Sequence, residues 1–98
     1  MTRDEVVAAL KREEAAIRGI GATSLFLFGS AARDELGPDS DIDVFIEYDR
    51  DNPPDLFQIC GLSRHLAGVL EREVDLGTRG GLHPRLRAEI ERESIRVI

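Results

Sequence analysis

An apolar run closes on a Gly-Ser turn, and ten residues later two aspartates flank an isoleucine at the start of a second apolar run. The first run is Leu25-Phe26-Leu27-Phe28, the turn is Gly29-Ser30, and the second run opens Asp41-Ile42-Asp43. No other stretch constrains the chain as much. Ser24 to Phe28 is short and nearly continuously apolar, which predicts a central strand buried on both faces. Asp41 to Tyr48 alternates. Ile42, Val44, Ile46 and Tyr48 share one face of a strand, and Asp41, Asp43, Phe45 and Glu47 share the other.

Both halves of the pattern carry chemistry. Gly29 has no Cβ, so backbone there can adopt positive φ and approach a ligand closely. Ser30 adds a hydroxyl and begins a short helix to Arg33, whose free N–H groups favour an anion such as the β- and γ-phosphates of a nucleoside triphosphate. Taken alone, Gly-Ser is also an ordinary turn. Asp41 and Asp43 stand about 6.8 Å apart along one strand face. Like charges so placed repel unless a cation compensates them. They can converge on a pair of Mg²⁺ ions, which sit roughly 3.5–4 Å apart in two-metal sites. Asp41 alone reads equally as a solvent-facing turn end; Asp43, between Ile42 and Val44, is placed for burial. Asp75, inside Val74-Asp75-Leu76, is the candidate third carboxylate and faces Asp43 if its strand lies alongside. Glu47 competes for that role but lies further along the strand. Arg33 suits a phosphate contact or an ion pair with Asp34 or Asp41. His65 and His83 have no partner at metal-ligand or triad spacing and read as surface or capping residues.

The remaining pattern supplies helices and two further strands. Thr2 to about Ile17 reads as a helix with capping-box spacing at Thr2 and Glu5 and an apolar stripe of Val6, Leu10 and Ile17. Glu13 falls within that stripe, where its carboxylate snorkels to solvent or pairs with an arginine. Gly19 and Gly21 stop the helix, and Asp34 to Ser40 is a loop. Asp55 caps a helix to about Arg72 with a wide apolar arc of Leu56, Ile59, Cys60, Leu62, Leu66, Val69 and Leu70. In that arc Cys60 reads as a small buried hydrophobe. Val74 to Leu76 is a strand and Thr78 to Gly81 a loop. Pro84 opens a helix in line with Leu82, Leu86 and Ile90, and Ile95 to Ile98 is a last strand. The order αβαβαβαβ predicts an α+β fold with α/β-like layering, a small mixed sheet flanked by helices. At 98 residues the expectation is one domain spanning 1–98.

Composition narrows the partners. No apolar run reaches the roughly 20 residues that span a membrane. The mixed-charge start Met1-Thr2-Arg3-Asp4-Glu5 lacks an apolar signal segment, and Cys60 is the only cysteine. The expected address is cytoplasmic, with no membrane partner. A net charge of −6 opposes direct nucleic-acid binding and suits metal ions or a basic protein.

Gly29-Ser30-Ala31-Ala32-Arg33, then Ser40-Asp41-Ile42-Asp43, then Val74-Asp75-Leu76, resembles the signature of minimal (MNT-type) nucleotidyltransferases of the DNA polymerase beta superfamily. The stretch Leu82 to Val97 resembles that family's closing helix and strand, so the likeness covers nearly the whole chain. The resemblance implies Mg²⁺-dependent transfer of a nucleoside monophosphate from an NTP such as ATP to a hydroxyl, with two Mg²⁺ ions. It places Gly29, Ser30, Arg33 and Ser40 at the nucleotide and Asp41 and Asp43 on both metals. It places Asp75 on the catalytic metal, assisting deprotonation of the acceptor. Stand-alone chains of this length in the family are often antitoxins that transfer AMP to a tyrosine of a HEPN-domain toxin. Two alternatives remain at this stage. One is a non-catalytic antitoxin that occludes its toxin. The other is transfer to a small molecule or RNA end presented by a separate binding subunit.

Overall fold

In the computed structural model, which describes Met1–Ile98, four strands form one mixed sheet. They are β1 (Ala22–Phe28), β2 (Ile42–Tyr48), β3 (Val74–Thr78) and β4 (Ile95–Arg96), in the spatial order β3-β2-β1-β4. β1 pairs antiparallel with β2 and with β4, while β2 and β3 run parallel. The small mixed sheet flanked by helices is the architecture expected from the sequence.

Alternation in β2 divides the sheet into two unlike faces. Ile42, Val44 and Ile46 join Leu25 and Leu27 in the hydrophobic core. That face is covered by α1 (Arg3–Lys11), α2 (Glu14–Gly19) and α4 (Leu56–Leu70), which contribute Val6, Leu10, Ile17, Leu62, Leu66 and Leu70. The opposite face carries Asp43, Phe45 and Glu47. There Phe45 stacks on Phe26 at 4.9 Å between ring centroids, and the Arg79 guanidinium lies 5.0 Å above the Phe26 ring. Phe26 and Phe28 remain partly exposed, so β1 is not buried on both faces as its composition predicts. The reason is that a cation and a short helix, rather than an apolar layer, cover its second side.

The N-terminal helix is two helices. The capping box at Thr2 and Glu5 forms as predicted, but the chain breaks at Arg12–Glu13 and α2 restarts at Glu14. Glu13, at the break, pairs with His65 of α4 rather than with an arginine. Gly21, at φ +103°, makes the turn into β1.

α4 has the predicted Asp55 cap, with a complete capping box to Gln58. Its buried stripe is narrower than the predicted arc: Leu62, Leu66 and Leu70 are buried, whereas Leu56 is 72% and Phe57 90% exposed, and Cys60 is exposed rather than buried. The 3.6-residue period explains this. Leu62, Leu66 and Leu70 face the sheet in one line, and Phe57 falls on the far side. The segment Thr78–Gly81, expected as a loop, contains a single 3₁₀ turn, Arg79–Gly81. α5 (Pro84–Glu93) buries no residue, and its Leu86 is 51% exposed. Polar contacts of Arg87 and Glu91 hold it instead: Arg87 donates to the Arg79 carbonyl and Glu91 faces Arg79, while the His83 ring caps its first turn by accepting the Arg85 N–H. No helix is long and apolar enough to cross a membrane.

Candidate active site

Strand register assembles the site. Phe28 lies opposite Asp43 in the β1–β2 pair, and Asp43 lies opposite Asp75 in the β2–β3 pair. One row across the sheet therefore runs from the Gly-Ser turn through Asp43 to Asp75. Because the strand partners are aligned, the two carboxylates occupy the same sheet face.

Gly29 follows Phe28 directly and has φ +72°. A Cβ there would stand 2.4 Å from the Asp43 Oδ2. Two requirements thus select glycine: the left-handed turn and the carboxylate beside it. Gly29 and Ser30 begin α3 (Gly29–Ala32), a single turn whose Ala31 and Ala32 are buried. The preceding Phe28 gives no side-chain cap. The Gly29 N–H instead donates to Glu93 Oε1 at 3.1 Å.

Arg33 sits just beyond α3 in a two-carboxylate clamp. Its Nε donates to Glu35 at 3.1 Å and its Nη1 to Glu93 at 2.9 Å. The sequence allows Arg33 an ion pair with Asp34 or Asp41; in the structure its partners are Glu35 and Glu93. Both pairs hold its pKa above the usual arginine value, Glu35 most strongly.

Asp41 lies one residue before β2 and is exposed, while Asp43 is half-buried within it. Burial pushes the Asp43 carboxyl above its ordinary pKa, and the negative charges of Asp75 and then Asp41 add to that; Arg33 opposes it, and Glu93 adds slightly more. The site thus gathers more negative than positive charge. The loop leading to Asp41 is tied from two sides. Ser40 Oγ accepts the Gly37 N–H at 3.0 Å, and Arg72 donates to the Gly37 carbonyl at 2.7 Å. In this structure Ser40 therefore shapes the loop. Glu47 faces Arg79 at 3.2 Å, away from the carboxylate row.

A cavity of about 290 Å³ opens beside Asp75, lined also by Phe28, Gly77, Leu82, Leu86 and Ile90. The apolar stripe of α5 faces this open space, which is why none of it is fully buried.

The donor set bears on Mg²⁺. No three acidic, histidine or cysteine side chains converge as a ready-made cage. Asp41, Asp43 and Asp75 therefore do not form a closed three-carboxylate site in the free chain. Mg²⁺ does not require one: it takes one or two carboxylates and completes its octahedron with phosphate oxygens and water. Asp43 and Asp75, adjacent and like-charged, fit an ion of that kind.

Two participants escaped sequence reasoning, Glu93 and Arg72. Glu93 lies in the stretch Glu89 to Glu93, charged at four of its five positions, where nothing distinguishes it from a solvated helix face. Arg72 is one of several charged residues around the end of α4. Only the tertiary pairing of β4 with β1 and the αL turn at Glu71 reveal them.

A mixed sheet with a Gly-Ser turn and facing carboxylates on one row defines a nucleotidyl-transfer enzyme, and the chain belongs to the nucleotidyltransferase domain family, which it matches over residues 4–97. It is 39% identical over 75 residues to a candidate protein adenylyltransferase of Methanocaldococcus jannaschii, covering 76% of this chain and 75% of that protein. It is 26% identical over 98 residues to the protein adenylyltransferase MntA of Thermococcus cleftensis, covering 99% and 97%. Among solved structures, a candidate minimal nucleotidyltransferase superposes with a TM-score of 0.77 at 34% identity, covering 97% of this chain and 95% of that one. The fold also recurs in a complex of a tri-AMPylated Shewanella oneidensis HEPN toxin with an MNT antitoxin. That match has a TM-score of 0.68 at 17% identity, covering 98% and 71% of the two chains.

Proposed function

We propose that this chain is a cytoplasmic protein adenylyltransferase that moves AMP from ATP to a tyrosine hydroxyl of a HEPN-type toxin and so acts as its antitoxin. The observation that carries this reading is the row formed by the Gly29 turn, Asp43 and Asp75 on one sheet face. The relatives named as protein adenylyltransferases support the acceptor class, and the fold shared with an MNT antitoxin supports the partner.

The roles follow from position. Ser30 presents its backbone N–H and hydroxyl to the triphosphate, and Gly29, whose own N–H is held by Glu93, supplies the side-chain-free turn that lets phosphate approach. Arg33 adds a guanidinium at the same end. Asp41, Asp43 and Asp75 would hold Mg²⁺, which when bound neutralises the triphosphate and lowers the pKa of an oxygen it contacts. Asp75 accepts the proton as the acceptor oxygen bonds to the α-phosphorus and the bond to pyrophosphate breaks. Ser40 acts through the loop that carries Asp41.

Intact-mass analysis of the co-purified partner tests this. Incubation with ATP and Mg²⁺ is expected to add one or more AMP groups, and Asp43→Asn to add none. An unmodified partner with wild-type, folded enzyme overturns the proposal. A second reading, neutralisation by occlusion, is favoured by one observation: Leu56 and Phe57 project from α4 with nothing over them. Under that reading Asp43→Asn still protects cells from the toxin.

A further inference from the structure

Glu93 is the last residue of α5, yet both of its carboxylate oxygens are spent 60 or more residues away. Oε1 accepts the Gly29 N–H, and Oε2 accepts from Arg33 Nη1. Both belong to residues assigned above to the triphosphate end of the site. We propose that Glu93 is a positioning residue for the triphosphate end of the site, holding the Gly29 turn and the Arg33 guanidinium where the nucleotide meets them. This rests on the nucleotidyl-transfer reading and extends it to a residue outside the signature.

Backbone structure fixes where Glu93 sits. Ile95 pairs with Leu27 and Arg96 with Phe26, so β4 docks on β1 just before the Gly-Ser turn. The Ser94 N–H closes the last turn of α5 on Ile90. Position 93 is thereby set beside position 29 by strand pairing rather than by its own side chain. Side chains carried on regular elements hold geometry better than those on loops.

The contacts themselves match a positioning role. The first N–H of α3 has no side-chain cap from its own segment, and Glu93 supplies the missing acceptor. Arg33 is gripped on two edges. Glu35 raises the Arg33 pKa more than Glu93 does, but its carboxylate is 67% exposed, where solvent screens the pair and such contacts do little to order a side chain. Glu93 is only 25% exposed and is the firmer of the two. Arg33 Nη2 makes no hydrogen bond within the protein, so one nitrogen of a held guanidinium stays available. A side chain already ordered has less freedom to lose when phosphate arrives.

The opposite role is also physically defined. A carboxylate seated on two anion-binding groups could compete with phosphate for them. The two roles predict opposite signs. Calorimetric affinity for AMP-PNP with Mg²⁺ is measured for wild type, Glu93→Ala and Glu93→Gln, with melting temperature recorded for each. Loss of a hydrogen bond to a charged group is expected to weaken Glu93→Ala by about tenfold or more. Gln, which keeps one acceptor oxygen, is expected to recover part of that loss. In turnover with the partner, the alanine variant is expected to raise KM for ATP more than it lowers kcat. Wild-type or tighter nucleotide binding by Glu93→Ala overturns the proposal, as does a Gln variant no better than Ala. Should Glu93→Ala fail to fold, the Gln variant decides alone, and wild-type affinity in it overturns the proposal. If wild type itself binds no AMP-PNP, it is the nucleotidyl-transfer reading that fails.

Discussion

Gly29 shows how much one missing carbon accomplishes. Its φ of +72° and the 2.4 Å approach of Asp43 Oδ2 to the position of a Cβ both exclude a side chain. Gly29→Ala is expected to cost about 1–3 kcal/mol in backbone strain and to displace Asp43, visible as a lowered melting temperature and lost transfer. Asp43 behaves differently. Its folded-state pKa is raised, so the native state binds the proton more tightly than the unfolded chain does. Stability of the metal-free protein therefore falls as pH rises through the window between the ordinary Asp value and the raised one, then stays level. Asp43→Asn is expected to flatten that segment of the curve and to leave the melting temperature at neutral pH unchanged or higher, while abolishing transfer. Thermal melts across pH, without metal, check the sign. At this scale much was legible. Gly29, Asp43 and Asp75 announce themselves because each is a polar or side-chain-free residue inside or beside an apolar run. Glu93 does not, because a glutamate in a charged helix is unremarkable until its partners, far off in sequence, are known.

Elements were legible to the extent that their own sequence determines them. The Thr2 and Asp55 caps, the Pro84 start and the strands β1 to β3 are local matters of spacing and turn chemistry, and they form as read. How much of a helix is buried is not local. α4 has enough apolar residues to hide half its circumference, but one sheet face accepts only the Leu62, Leu66, Leu70 line. Leu66→Ala is accordingly expected to cost about 2–5 kcal/mol. Phe57→Ser, at a larger side chain that is 90% exposed, should stay within about 0.5 kcal/mol. Denaturant unfolding of the two variants makes the comparison. Asp55→Ala should fall between them, at about 1 kcal/mol for a lost cap. The break at Arg12–Glu13 was invisible for a related reason: the apolar stripe continues past it, and the Glu13–His65 pair ties the break to α4, 52 residues on.

At the scale of the molecule the two sheet faces are held by different forces. One is a hydrophobic core and the other a set of aromatic, cation–π and ionic contacts around Arg79, with α5 laid over it unburied. Ionic contacts weaken with salt and apolar burial does not. Hydrogen exchange is therefore expected to show α5 opening well before β1 and β2, and raised salt to widen the gap. Equal protection of α5 and the central strands would contradict this division. The mixed sheet itself was readable from the order of elements; the order β3-β2-β1-β4 was not, because parallel pairing of β2 with β3 depends on where α4 carries the chain.

The carboxylate row draws on widely separated parts of the chain. Gly29 meets Asp43, Asp43 meets Asp75, and Gly29 meets Glu93 across 64 residues. During synthesis, the Gly29 amide leaves the ribosome before Glu93 exists, and Asp43 before β3 can pair with β2. The turn is completed only when the end of α5 emerges and β4 docks. Order at the Gly29 turn therefore arrives last, through docking of distant segments rather than through the turn's own sequence.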